Sequence, residues 1–410
     1  MKKLLWVGDG PDVPSGFGRA TRDILQTVQT QYDVTVLGLN HRGDPGTVAY
    51  PVYTAAAGGD ALGVGRLLWL CDRVRPDVIV LQQDGWFIPY YFAQLRKRYP
   101  TGEYVYPEHA AIPVVAAVAV DGQNFRGAWL KDVTLAIFWT QFGLDEARRG
   151  GYAGEARVIP LGVDRDVFYP VERDGALMRQ KAPMLKDRFI VGAVNRNQYR
   201  KRWDLTIQYF AEWVQSRHIT DAELFLHTAP TGDEAVNVQQ LAQHYGILDY
   251  LALREPEMFY GNSDDDMRDT YSFMDACIST SMGEGFGLTT LEAMACGAPC
   301  IVPAWSALGD WPRGAAMQVP CTSLAMNATA SVNGSAVIGG VADKRAFIDA
   351  LDTLYRDADH RRVIRELGLA RAREERFRWA VIGQQWCDTL AHVLAPAPVE
   401  DGEIWQELKA

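Results

Sequence analysis

The chain has 410 residues, 48% of them hydrophobic, and a formal net charge of −10 at pH 7. That length exceeds what one compact core usually holds, so two domains are expected, and the acidic balance disfavours a general nucleic-acid binder. No apolar run reaches membrane-spanning length, and Met1-Lys2-Lys3 leads straight into Leu4-Leu5-Trp6-Val7, a first strand rather than a signal peptide.

Apolar runs alternate with helical patterns along the whole chain. In the first half Leu4–Val7, Val34–Leu39, Val78–Leu81, Val114–Val120, Leu135–Trp139 and Val158–Ile159 read as strands. In the second half Ile190–Val194, Leu224–Leu226, Tyr250–Leu253, Ala276–Ser279 and Cys300–Val302 do so. Helical spacing falls between them, at Arg19–Thr30, Leu62–Arg73, Trp203–Ser216, residues 235–245 and Lys344–Tyr355. Such alternation argues an α/β fold with parallel sheets covered by helices. The expected units are residues 1–170 and 188–376, with a charged, unpatterned boundary near 168–187. Residues 306–342 read as an irregular ordered insertion, Trp379–Leu394 as an amphipathic last helix, and 395–410 as a tail. The six cysteines are scattered without a Cys-x2-Cys pair, so neither a zinc site nor a disulfide framework is indicated and a cytoplasmic location is expected.

Several motifs sit at strand ends, where parallel sheets meet ligands. Ser15-Gly16-Phe17-Gly18-Arg19 opens the first helix, and a plain glycine turn would read the same way. Asp84-Gly85-Trp86 and Asp121-Gly122 each follow a strand; Asp121 is a candidate for contacting a sugar or an acceptor, and Asp84 a weaker one. Asn195–Asp204 carries four cations, Arg196, Arg200, Lys201 and Arg202, after strand Ile190–Val194. His227 ends another strand, either as a satisfied buried histidine or as a contact near a nucleotide. Asp264-Asp265-Asp266 follows Asn262-Ser263 and reads as acids crowding a helix N-terminus rather than as a metal site.

Residues 284–292, Glu-Gly-Phe-Gly-Leu-Thr-Thr-Leu-Glu, are the most informative stretch. Two carboxylates flank a Gly-Phe-Gly turn and the start of a short helix ending at Gly297. A helix N-terminus offers unpaired N–H groups and partial positive charge, a seat for phosphate. Flanking carboxylates suit hydroxyls instead. Together they point to a nucleotide-sugar. Against this, Thr289 to Glu292 also spells a capping box, with Glu292 bonding back to the Thr289 N–H.

The stretch resembles the Glu-x7-Glu motif of retaining GT-B glycosyltransferases, specifically glycosyltransferase family 4. Asn195–Asp204 is similar to that family's Arg-x4-Lys-Gly-x-Asp pattern, matched by Arg196, Lys201 and Asp204, with Arg202 where glycine is usual. The Gly16–Gly18 loop resembles the family's glycine loop near the donor phosphates, and Val158–Asp164 its interdomain signature. Asp121 stands near the place of a common family histidine. The resemblance implies two Rossmann-like domains facing a cleft, the last helix crossing back onto the first domain. It implies a nucleotide-sugar donor whose diphosphate lies between the amides of Gly287 to Thr290 and the cations Arg196 and Lys201, Arg202 being an alternative to Lys201. Glu292 would take ribose hydroxyls, while Glu284 and the amides of Gly285, Phe286 and Gly287 would hold the sugar, with Leu288 and Thr289 beside it. Retention of configuration is implied, with no metal or other cofactor.

The acceptor stays open: a saccharide or lipid-linked sugar by default, or hydroxymethylated bases of DNA. Arg19 and Arg126 are weak acceptor candidates, and the balanced charge of residues 1–165 permits DNA without demanding it. Phe92–Tyr99, with Arg96-Lys97-Arg98, is a weak candidate for peripheral membrane contact. A nucleotide-sugar epimerase or an inactive GT-B binding scaffold are the rival classes.

Overall fold

The computed structural model describes residues 1–43, 48–56, 58–171, 185, 187–231, 236–257, 261–327 and 337–396. Most of the expected boundary at 168–187 and of the tail at 395–410 lies outside these residues. The first half runs β1 (Lys2–Asp9), α1 (Gly16–Val28), β2 (Tyr32–Leu39), β3 (Val52–Thr54), α2 (Val64–Val74), β4 (Val78–Asp84) and α3 (Ile88–Leu95). It continues with α4 (Pro107–Ala110), β5 (Val114–Ala119), β6 (Leu135–Phe138), α5 (Gln141–Arg149) and β7 (Ala156–Val158). Its seven strands form one parallel sheet, in the order β3-β2-β1-β4-β5-β6-β7.

The second half runs β8 (Phe189–Val194), α6 (Trp203–Arg217), β9 (Ala222–His227), α7 (Val238–His244), β10 (Leu251–Arg254), α8 (Asp264–Ser272) and β11 (Ala276–Ile278). Then follow α9 (Leu288–Ala295), β12 (Cys300–Pro303), α10 (Ser306–Asp310), β13 (Met317–Val319), β14 (Cys321–Asn327) and β15 (Val337–Ala342). Helices α11 (Lys344–Arg356), α12 (Ala358–Ala372) and α13 (Trp379–Leu394) complete the described chain. The second sheet, also parallel, has the order β10-β9-β8-β11-β12-β13, and β14 and β15 form an antiparallel hairpin. Two Rossmann-like domains are thus present. Leu4 to Val7 and Phe189 to Val194 are buried throughout, as strands covered on both faces must be.

Each sheet order reverses once, between β1 and β4 in the first and between β8 and β11 in the second. The crevice at such a switch point is where an open parallel sheet binds ligand. Asp9 and Asp84 end the first pair of strands, and the loops 195–202 and 279–287 follow the second.

Helix α13 leaves the second half and packs on α1. Trp386 meets Trp6 at 5.0 Å between ring centroids, Arg157 donates to the Thr389 hydroxyl at 2.9 Å, and a Cβ at Gly383 would lie 2.4 Å from Thr27. These aromatic contacts bury large apolar area on the first domain.

One reading changes. Residues 306–342 are not irregular: α10, β13 and the hairpin occupy the described part. Their strands are short or built from Thr, Ser, Ala and Gly, so they carry little of the bulky alternation that marks a strand. In Phe92–Tyr99, α3 stops at Leu95 and turns Phe92 and Leu95 into the core, while Tyr99 stays exposed. Among the described residues, no helix is long and apolar enough to cross a membrane.

Candidate active site

The two domains face each other across a cleft of about 1310 Å³. Glycines set how closely they approach: a Cβ at Gly283 would fall 1.7 Å from the Asp121 carbonyl oxygen, and one at Gly285 2.8 Å from the Ala119 Cβ. The loop 279–285 is held on several sides. The Met282 N–H donates to the Arg200 carbonyl at 2.8 Å, the Glu284 N–H to the Ser306 hydroxyl at 2.9 Å, and the Gly340 N–H to the Met282 carbonyl at 2.9 Å. Hairpin strand β15 also bonds the first domain, exchanging two backbone bonds between Ile338 and Gln123.

Glu284 is the hub. Lys201 Nζ lies 2.5 Å from its Oε1 and Arg200 Nη1 3.2 Å from its Oε2. Arg200 also reaches the Gly283 carbonyl at 2.8 Å and stands 3.8 Å from Asp121. Burial would raise the Glu284 carboxyl, but Lys201 and Arg200 outweigh it and hold it at about 2. Burial and the neighbouring Arg200 pull Lys201 down to about 8 against the attraction of Glu284. The linkage sign follows for Glu284: its stabilisation is present above its ordinary value of 4.5 and lost as pH falls towards 2. Acid unfolding followed by circular dichroism should therefore show a limb in that window, and Glu284→Gln should flatten it.

Helix α9 starts at Leu288, and Gly287, at φ +89°, precedes it without any side-chain cap. Its first amides consequently face the cleft, lined here by Gly285, Phe286, Gly287, Leu288 and Thr289. Phe286 is anchored by Trp311, which stacks on its ring at 5.3 Å and donates to its carbonyl at 2.6 Å. The capping box is overturned. Glu292 lies inside the helix and turns to Tyr271, whose hydroxyl donates at 2.9 Å, and to Arg19, 3.4 Å away. Burial raises its carboxyl despite Arg19.

Across the cleft, Ser15 caps α1 by accepting from the Gly18 N–H at 2.9 Å. Gly16 lines the cleft opposite Leu288, 3.6 Å from where its Cβ would be. Arg19 pairs with Asp264 as well as Glu292, so it belongs to the helix α9 side rather than to an acceptor wall. Asp264, Asp265 and Asp266 each meet an arginine, respectively Arg19, Arg268 and Arg254. Arg196 is exposed on the cleft and close enough to Asp9 to lower its carboxyl, although burial leaves Asp9 raised. Asp121 and Asp84 line the first-domain side. Burial and the Asp121 charge push Asp84 up to about 7. His227 is buried, with Nδ1 unpartnered among the described residues, and burial and Arg254 lower it to about 4, so it is neutral.

Three candidates stand outside the cleft lining. Gly18 serves the turn itself: a Cβ there would meet the Val13 carbonyl oxygen at 2.3 Å. Arg126 is exposed, and its neighbours Phe125 and Trp129 line the cleft in its place. Arg202 turns away to Asp204, which takes its guanidinium through both Nε at 2.9 Å and Nη2 at 2.8 Å. Lys201 is therefore the inward residue. Arg202 also sits at φ +53°, the left-handed region, at the one position where the family pattern has glycine. Arg202→Gly should leave turnover at the wild-type level and move stability by less than about 1 kcal/mol, strain relief offsetting the lost ion pair. A drop in turnover would restore Arg202 to the site.

Sequence reasoning missed Arg200, Tyr271 and Asp9. Arg200 falls in the variable gap of the cation pattern, and only the tight turn Tyr199–Lys201 aims it and Lys201 at one loop. Nothing local to Tyr271 marks it as the partner of Glu292, 21 residues away.

The comparisons with known proteins bear on the fold. The family model for glycosyl transferases group 1 matches residues 176–307, from the boundary region into the second domain. The D-inositol 3-phosphate glycosyltransferase of Geodermatophilus obscurus is 31% identical over 170 residues, 39% of this chain and 36% of that protein. The mannosylfructose-phosphate synthase of Agrobacterium fabrum is 31% identical over 156 residues, 35% of this chain and 32% of that protein. Each match thus takes in about a third of the relative's length. The sucrose-phosphate synthase of Thermosynechococcus elongatus superposes with a TM-score of 0.75 at 18% identity, covering 97% of this chain and 100% of that one. The Anabaena HepE protein in complex with UDP-glucose does so at 0.70 and 17%, covering 96% and 100%. The chain therefore has the GT-B fold. Within it, residues 176–307 carry the pattern of the group 1 glycosyltransferases.

Proposed function

We propose that the protein is a retaining glycosyltransferase that moves a sugar from a nucleotide-diphosphate-sugar to a hydroxyl acceptor. The observation that carries this reading is the cluster of Glu284, Lys201 and Arg200 beside the uncapped start of α9. Positive groups converge where a departing diphosphate gathers charge, and a carboxylate sits where a sugar's hydroxyls would lie. In the reaction the acceptor oxygen bonds to the anomeric carbon. The bond from that carbon to the diphosphate breaks, its electron pair goes to the phosphate oxygen, and that oxygen takes the acceptor's proton on the same face. Lys201, Arg196, Arg200 and the α9 amides stabilise the leaving group, the largest expected share of the rate. Glu292 takes ribose hydroxyls. Closure of the cleft limits hydrolysis by excluding water.

Two rivals fit less well. An epimerase shares the fold but has less use for cations around the leaving diphosphate. A binding scaffold has no reason to keep Glu284 charged and buried between two cations. A thermal-shift panel of UDP-, GDP- and other nucleotide-sugars tests the reading. One or more should raise the melting temperature and be consumed when acceptor is added; consumption to an isomeric sugar nucleotide without acceptor would favour epimerisation instead.

Metal-independent action is part of the proposal, since Asp264 to Asp266 are engaged by arginines. Activity should survive excess chelator. Complete loss, restored by a divalent ion, would return those carboxylates to consideration.

A further inference from the structure

We propose that the acceptor is an uncharged polyhydroxyl compound, a sugar ring or polyol, held against the first-domain wall by Asp84, Asp121 and the rings of Trp86 and Trp129, and that phosphorylated acceptors are discriminated against. The inference rests on the glycosyltransferase reading and narrows its acceptor.

Charge carries the first part. The first-domain wall presents Asp9, Asp12, Asp84 and Asp121 to the cleft. The cations that reach the cleft from that domain, Arg19 and Arg22, pair with Asp264, and Arg19 with Glu292 as well. From the other domain, Lys201 and Arg200 pair with Glu284 around the expected diphosphate, Arg200 also standing 3.8 Å from Asp121, and Arg196 lies close enough to Asp9 to act on its charge. A second phosphate brought in by the acceptor would face carboxylates, a juxtaposition that rejects it. Hydroxyls have no such conflict. With its carboxyl near 7, Asp84 both donates and accepts hydrogen bonds around neutral pH.

The walls carry the second part. Trp86 lies against Phe87 at 3.5 Å between centroids and Trp129 against Phe125 at 5.2 Å. The two pairs are joined, because a Cβ at Gly85 would lie 2.5 Å from the Phe125 ring. All four rings line the cleft next to Asp84 and Asp121. Such an apolar wall with a few convergent polar groups suits a neutral ligand with C–H and O–H faces.

Trp139 lines the same cleft, is 6% exposed, and its indole N–H is without a partner among the described residues. It packs beside Gly285, whose Cβ would be 3.5 Å from its ring. That N–H is closed off from the cleft, so the ring adds apolar packing to the wall.

The test compares matched pairs with the donor found by thermal shift: glucose and glucose 6-phosphate, fructose and fructose 6-phosphate, inositol and inositol 3-phosphate. Release of nucleoside diphosphate is measured on full-length protein. The expected result is a kcat/KM at least about tenfold higher for the neutral member of one or more pairs. Asp84→Lys, or Asp84→Asn if the first folds poorly, should shrink that ratio, which is read within one preparation and so does not depend on yield. Equal or better use of the phosphorylated members, or no separation in any pair, overturns the inference. So does glycosylation of an oligonucleotide carrying hydroxymethylated bases in place of any sugar. Failure of every nucleotide-sugar to bind is a different outcome: it removes the glycosyltransferase reading and the inference with it.

Discussion

Lys201→Ala should lower turnover by on the order of 10²–10³, as loss of one preorganised charge-stabilising group does elsewhere. Lys201 is buried, in contact with Glu284 at 2.5 Å, and flanks the cleft where α9 begins. Its ammonium titrates near 8, so the wild-type rate should fall as pH rises through that value, when the charge is lost. Arg196→Ala should cost a similar factor, because its guanidinium lines the same cleft. Steady-state kinetics at saturating donor separate the outcomes. Near-normal turnover in both variants would reject charge stabilisation as their role.

Removing Glu284 should be the most damaging change to stability. Glu284→Ala leaves the buried Lys201 and the half-buried Arg200 without their carboxylate, and breaking a buried pair from one side costs about 3–5 kcal/mol. Chemical denaturation at pH 7 should show that loss. Glu284→Ala with Lys201→Met should recover part of it, because the buried ammonium is then also gone. A single variant as stable as the wild type would mean that solvent already screens the cluster.

How much of this was legible beforehand varies by element. Continuous apolar runs marked the covered parallel strands, and Trp379–Leu394 was read to the residue, because bulky groups recur at helical spacing there. The Glu284 to Glu292 stretch was legible because its glycines, helix start and two acids are local. The inward side of the cation loop was not. Deciding between Lys201 and Arg202 needed the left-handed backbone at Arg202 and the partner at Asp204. Contacts between distant segments stayed hidden for the same reason: Tyr271 with Glu292, Arg200 with Asp121, and Gln123 with Ile338 come together only through the fold. The hairpin β14–β15 was missed because Thr, Ser, Ala and Gly interrupt its bulky residues and leave no clean alternation to read.

The central idea is that a leaving pyrophosphate rests on the start of α9, between the Leu288 and Thr289 amides and the Lys201 ammonium. A structure of the protein with an unreactive nucleotide-sugar settles it directly. Phosphate oxygens should lie within about 3 Å of those amides and of Lys201 Nζ, with the sugar towards Glu284 and the ribose towards Glu292. A diphosphate seated elsewhere in the cleft, with Lys201 still bound only to Glu284, would contradict the account.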